Sequence, residues 1–455
     1  ASPSQTERAR TGGSSGGRQT FSFNTATPGT VQLVVGGTSA GNLFWRGLVN
    51  TNWDLSTSNW LNGAVQDRFF NVDVVNFDDV GLSAPLVNFT ANVSPATVNV
   101  NASGNYTFAG TSTLTGAGTL NKSGSGTLNI VNSNSTFTGA VNISGGTLNF
   151  GAAGAMLGSG PVTLSGGGIW NFPPSSPAYF FAGTVTVPAG QSGTLYSPGL
   201  GNGINGNIIS GDSNSVLYIS NGVSFGQTTS AQFDNFTGTI NILPGATLRF
   251  SPNSSGNTYG SLNPTFIING SLRPRNAGNT VRLGALSGSG AIEGPQSNGG
   301  SGNTTYLIGG NNLDVTFNGN ISSNSAVAGS AVVLSKIGTG KLTLNGTSTF
   351  TGGTTVSAGS LIVNNVTGSG TGTGALSIAA GATLGGTGRI GSATTLDDYA
   401  ALAPGNSTGT LTFDGSLTLG EFTDLNFELG TTSDLVACNG ALSLDGVLNV
   451  TNGPG

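Results

Sequence analysis

The chain has 455 residues, with 78 Gly, 18 Asp plus Glu, 13 Lys plus Arg and no His, and a formal charge of −5. Only 7% of its residues are charged, where about 25% is usual, so it is neither a charge-rich disordered chain nor a basic nucleic-acid binder. The absence of His excludes a Ser-His-Asp triad and imidazole metal sites, and a single cysteine, Cys438, excludes internal disulfides and thiolate zinc sites.

Gly does not recur at every third position, so collagen is excluded. No stretch of ten or more residues carries a 3.6-residue apolar period, and no apolar run reaches the 18 or so residues of a membrane helix. Alternation with period two is everywhere, as in Thr97-Val98-Asn99-Val100-Asn101, Leu342-Thr343-Leu344-Asn345 and Val447-Leu448-Asn449-Val450. Strands of about five residues between Gly, Ser-Gly, Asn-Gly and Pro-Gly turns predict an all-β chain. The first residue is Ala1, as in an exported protein after signal cleavage.

Residues 1–41 open with three Arg and a Gly-Gly-Ser-Ser-Gly-Gly run, followed by strand-like Thr20–Phe23 and Val31–Val35. They read as an extended arm that packs on its own body or on a neighbouring subunit. Phe21, Phe23, Val31, Leu33 and Val35 are the expected interface residues on this side.

Residues 42–85 hold Trp45, Trp53 and Trp60, three of the four tryptophans. A solenoid exposes strand edges and an open core at its ends, so clustered aromatics here read as a cap. The functional alternative is a platform on which glycan rings stack. Asp73, Asp78 and Asp79 are the candidate Ca²⁺ ligands, through carboxylate oxygens; their structural reading is a cap-stabilising turn.

Residues 86–395 carry repeats. Lys122 to Phe150 reads KSGSGTLNIVNSNSTFTGAVNISGGTLNF, and Lys336 to Val363 reads KIGTGKLTLNGTSTFTGGTTVSAGSLIV. Both run K-x-G-x-G-x-L, then S-T-F-T-G, then G-[TS]-L, with equal spacing from Phe137 to Leu148 and from Phe350 to Leu361. A partial third copy spans Phe236 to Phe250. Recurrence with small insertions marks a stack of supersecondary units, with rungs on the order of 20–25 residues. Inward Val, Leu, Ile and Phe form the core of such a stack, Asn and Thr align into ladders, and Gly takes the corners. Residues 396–455 read as C-terminal rungs that leave an open layer, with Leu448 and Val450 as interface candidates. Cys438 alternates with Val436 and reads as a buried apolar residue.

Catalytic groupings are weak. Asp397-Asp398, and Arg273, Arg275 and Arg282 with Glu293, lack the converging carboxylates of a polysaccharide lyase or hydrolase. Gly338-Thr-Gly340-Lys341 imitates a phosphate loop, but Ser335 stands where its first Gly belongs. The expectation is a non-enzyme without a cofactor, Ca²⁺ being the one candidate ion.

The two long repeats resemble the autotransporter-associated β-strand repeat, also called the passenger-associated transport repeat. The likeness extends to Trp45, Trp53-Asp54, Asn59-Trp60, Phe77-Asp78-Asp79 and the Ala403-Pro404-Gly405-Asn406-Ser407 stretch. The resemblance implies a right-handed parallel β-helix exported to the bacterial cell surface or beyond. Together with the arm, the open last rung and the low surface charge, it leads to one functional expectation: an extracellular structural subunit that polymerises with itself head to tail. The alternatives are a monomeric passenger adhesin or glycan-binding module and, last, a polysaccharide-degrading enzyme.

Overall fold

The computed structural model describes residues 18–132, 136–150, 158–172, 180–181, 183–200, 203–204, 209–225, 232–251, 255–296, 302–323, 329–405 and 407–452. The chain forms two compact units, Ala1–Pro173 and Pro174–Gly455. Each is a parallel β-solenoid, and no α-helix occurs among the described residues. The ordered start expected for the arm falls on residues 1–17, outside the described residues.

In the first unit one parallel sheet stacks Asn42–Trp45, Val74–Phe77, Thr97–Asn101, Thr119–Ser123, Val141–Ile143 and Val162–Leu164. A second stacks Asn52–Trp53, Leu86–Phe89, Tyr106–Gly110, Thr127–Ile130, Thr147–Phe150 and Gly168–Asn171. Alternation decides which side chains face in. Val75, Val98, Leu120, Val141 and Val162 occupy matching positions on successive rungs, and all are buried. Each such side chain contributes roughly 1.5–3 kcal/mol. Beyond the cap, partners on adjacent rungs lie from 18 residues apart, as Leu384 and Leu402 do, to 29, as Ile292 and Ile321 do. The period therefore falls on both sides of the expected 20–25 residues.

The outward positions carry a ladder. Asn76 donates to Asn42, Asn99 to Asn76, Asn121 to Asn99 and Asn142 to Asn121, at 2.7–3.0 Å. The internal amides, Asn76, Asn99 and Asn121, each use the N–H₂ on one neighbour and the oxygen on the other, a double role that a carboxylate cannot fill. Asn121→Asp places a carboxylate against the Asn99 oxygen and removes a donor, and is expected to cost about 1–2 kcal/mol near neutral pH. The folded-state carboxyl is then raised above its unfolded value, so the loss should shrink as pH falls through 4. Urea denaturation at pH 7 and pH 3.5 checks both signs.

The first unit closes its N-terminal edge with antiparallel strands. Trp60–Asn62 pairs with Asn42–Trp45 and then with Val65–Asp67, which covers the free edge of the parallel sheet. Before it, Gln19–Asn24 and Gln32–Gly37 form a separate antiparallel hairpin with Phe21 opposite Val35. The arm is therefore a hairpin over these residues, since its two strands pair with each other.

In the second unit one sheet stacks Val315–Phe317, Lys341–Leu344, Ser360–Val363, Thr383–Gly386, Ala401–Pro404, Asp424–Leu429 and Val447–Asn452. Cys438, expected to be buried, is half-buried. Its strand, Leu435–Cys438, has only Thr410–Phe413 as a described partner, so one side of the layer stays open.

Candidate functional site

Trp45, Trp53 and Trp60 all lie in the core with no exposed surface. Trp53 sits 5.1 Å from Trp60, 5.4 Å from Phe69 and 4.9 Å from Phe89, centroid to centroid, and Trp45 is 5.0 Å from Trp60. The faces a sugar would need are covered by other rings, so these residues cap the core and do not form the glycan platform considered from the sequence. Aromatic clustering could not separate these outcomes, because burial depends on Phe69, Phe77, Phe89 and Phe108 arriving from later rungs.

The three carboxylates of this region answer to three different sets of donors. Asp73 is fully buried and accepts from Arg18 Nε at 2.8 Å, Gly41 N at 2.6 Å and Phe70 N at 2.9 Å. Asp78 forms a two-point pair with Arg46 at 2.7 and 3.0 Å. Burial works to raise the Asp78 carboxyl, but Arg46 and the Gly81 N–H hold it below its ordinary value. Asp79 accepts from Ser103 N at 2.6 Å and Ser103 Oγ at 3.0 Å. They do not converge, and among the described residues no three Asp, Glu, Cys or His side chains gather as a metal site would need. Arg18 also pairs with Asp67 at 2.8 Å and lies over the Phe70 ring at 4.7 Å, which ties the base of the hairpin to the cap.

Three further arginines form ion pairs with single carboxylates. Arg273 meets Glu293 at 3.0 Å, Arg282 meets Asp234 at 3.2 Å and Arg389 meets Asp414 at 2.5 Å. An open groove of about 600 Å³ is lined by Asn269, Ser271, Ser289, Asn318, Asn320 and Thr347 with small neighbours, and no titratable side chain faces it. Its amides and hydroxyls can hydrogen-bond but cannot carry acid–base chemistry.

The repeats contain a feature that composition did not announce. Lys122 and Lys336, the first residues of the two repeats, are each 1% exposed. Lys122 Nζ donates to Ser123 O at 2.7 Å, Gly124 O at 3.0 Å and, from the next rung, Gly145 O at 3.0 Å. Lys336 Nζ donates to Ile337 O at 2.7 Å, Gly338 O at 2.8 Å and Ala358 O at 3.1 Å. An ammonium has three donors, and here each finds a carbonyl. The glycine two residues on, Gly124 or Gly338, takes φ of 69° or 70°, which turns its carbonyl towards the ammonium. Burial pushes both lysines down to about 8. These residues clamp one rung's corner to the next. The signal was present in the sequence, since Lys122 alternates with the inward Leu120.

Among the interface candidates, Phe23, Val31, Leu33 and Val35 stand exposed on the hairpin, and the side chain of Phe21 lies outside the described residues. Leu448 and Val450 are in register with Leu425 and Phe427, and are 63% and 51% exposed.

Comparison with known proteins accounts for the repeats. Residues 120–150 and 334–363 match the model of the passenger-associated-transport-repeat. No curated protein matches the chain. The chain thus carries two passenger-associated-transport repeats, one in each solenoid unit and each match beginning within two residues of a buried corner lysine.

Proposed function

We propose that the chain is an extracellular structural protein whose solenoids join head to tail into a surface or matrix filament, with the N-terminal arm bridging the joint. The repeat match suggests export or cell-surface display, and β-helices with such repeats are typically structural or adhesive, which supports a non-enzymatic role. The observation that carries the proposal is the state of one core column. Leu342, Leu361, Leu384, Leu402 and Leu425 stack in register and are buried, while Leu448 continues the column and is exposed. Among the described residues no strand pairs with the far edge of Val447–Asn452. A layer that supplies a strand and apolar side chains completes both. The exposed hairpin carries matching apolar residues. Charge supports the polarity: residues 390–455 hold eight carboxylates and no Lys or Arg, whereas residues 1–41 hold Arg8, Arg10 and Arg18 against Glu7 alone.

A second reading is a monomeric passenger adhesin in which further rungs of a longer chain cover Leu448. The repeat match, which fits a passenger-type β-helix, supports this reading. Negative-stain electron microscopy at neutral pH, with and without Ca²⁺, separates the two. Uniform fibres are expected from the parent protein. Leu448→Lys with Val450→Lys, both at exposed positions, should abolish them at unchanged melting temperature. Monodisperse particles from the parent, or fibres of normal length from the double variant, would overturn the filament reading.

A further inference from the structure

Three successive turns of the second unit close with the same hydrogen bond, from the fourth residue's N–H to the first residue's carbonyl. Ala382 N donates to Ala379 O, Ala400 N to Asp397 O and Thr423 N to Gly420 O, and the third residues of these turns are Gly381, Tyr399 and Phe422. The turns are neighbours, because Gly381 N donates to Tyr399 O at 2.8 Å and Tyr399 N to Phe422 O at 3.0 Å. Gly190, Gly245 and Gly381 take φ of 67°, 76° and 75° at this position of such turns. Tyr399 takes 62°, a left-handed conformation in which a bulky residue is rare. A residue held in this region without a local reason points to use of its side chain.

The side chain is displayed. Tyr399 is 65% exposed and Phe422 43%, and their rings stack at 5.3 Å with 8° between planes. On the Gly381 side there is open space: a Cβ at that position would meet nothing within 4 Å. Asp397 and Asp398 precede Tyr399, and Glu421 precedes Phe422, all exposed. Asp445 lies on the turn before Val447–Asn452, the next strand of the stack, and no Lys or Arg occurs from residue 390 onward.

We propose that this aromatic and acidic platform binds the guanidinium groups of Arg8 and Arg10 from a second copy of the chain. The proposal rests on the filament reading and names the partner at its joint. An Arg lies flat on an aromatic face while carboxylates take its N–H groups. The same chemistry operates at the other end of the chain, where Arg18 and Arg68 lie 4.7 and 4.5 Å from the centre of the Phe70 ring. The segment is cationic where the platform is anionic, so charge selects this occupant over an acidic glycan or peptide.

The test is fluorescence anisotropy of a labelled peptide of residues 1–17 titrated with the full chain. The peptide should bind, and binding should weaken severalfold when salt rises from 50 to 300 mM. Tyr399→Gly should weaken it at least tenfold, and so should replacing Arg8 and Arg10 of the peptide by Gln. Because glycine suits this turn, the melting temperature of Tyr399→Gly should be unchanged or higher, which separates lost binding from lost folding. No binding, or equal binding by Tyr399→Gly, overturns the proposal; so does displacement of the peptide by a glucosamine hexamer, which would assign the platform to a cationic glycan. Fibres from the parent chain without peptide binding would sink this proposal alone, whereas peptide binding without fibres would support the platform and sink the filament reading.

Discussion

Replacing Lys122 and Lys336 together by Met should destabilise each unit by about 2–4 kcal/mol, because methionine fills the volume and leaves three carbonyls without donors at each corner. Removing a buried charge is often harmless when its surroundings are apolar. Here they are oxygens, so the acceptor cost dominates. The same lysines set a pH dependence whose sign follows from their direction of shift. Burial depresses each from 10.5 to about 8. Below pH 8 the lysine is charged in the folded and unfolded chains alike, and the folded state bears the full desolvation cost. Between about 8 and 10.5 the unfolded chain binds more protons, so stability rises with pH, on the order of 3 kcal/mol per lysine at most. The tyrosines act in the opposite sense. Burial raises Tyr259 to about 12 and raises Tyr106 and Tyr306 further, so above pH 10 the folded chain binds more protons and stability falls. The urea midpoint of the parent should therefore pass through a maximum near pH 10. The double Met variant should show only the fall. A parent midpoint that declines steadily from pH 8 would contradict the depression of the two lysines by burial.

Trp53→Ala is expected to be the most damaging single substitution in the cap, costing about 3–5 kcal/mol, while Trp53→Phe should cost little. Trp53 is fully buried at the centre of a cluster that includes Trp60, Phe69, Phe77, Phe89 and Phe108. Alanine leaves a cavity that rings on separate rungs cannot all collapse into. Phenylalanine keeps most of the contact area and removes an indole N–H that has no hydrogen-bond partner among the described residues. Trp45 offers the contrast, since its Nε1 donates to Ala84 O at 2.8 Å. Trp45→Phe should cost more than Trp53→Phe, because the Ala84 carbonyl then loses its donor. Thermal melts of the three variants, followed by tryptophan fluorescence, check the order. A large loss in Trp53→Phe would mean that indole shape, not burial, holds the cap.

Alternation marked Leu33 and Val35 on the hairpin and Leu448 on its strand as members of one face, since a period of two assigns each side chain to a face wherever a strand forms. It did not say whether that face is covered: Val34 and Val35 are both exposed, and Leu448 is exposed although it continues a buried column. The paired strands of the arm were visible as strand-like runs, but their pairing with each other was not, because a hairpin and two separate edge strands share the same alternation. The metal candidates Asp73, Asp78 and Asp79 are close in sequence yet bond to Arg18, Arg46 and Ser103, which lie 55, 32 and 24 residues away. Nothing in the residue pattern sets Tyr399 apart from other turn residues; its backbone angle and its stacking on Phe422 do.

By itself the sequence determined that this chain is a repeated, all-β stack with an aromatic cap, because Gly-punctuated alternation encodes strand, face and corner within five or six residues. The tertiary structure alone decided which partners meet: whether three tryptophans are core or platform, which carbonyls hold a buried lysine, and which aromatic faces stay open. In a solenoid those partners lie a whole rung away, and beyond the cap the rung length varies from 18 to 29 residues, so no local spacing specifies them.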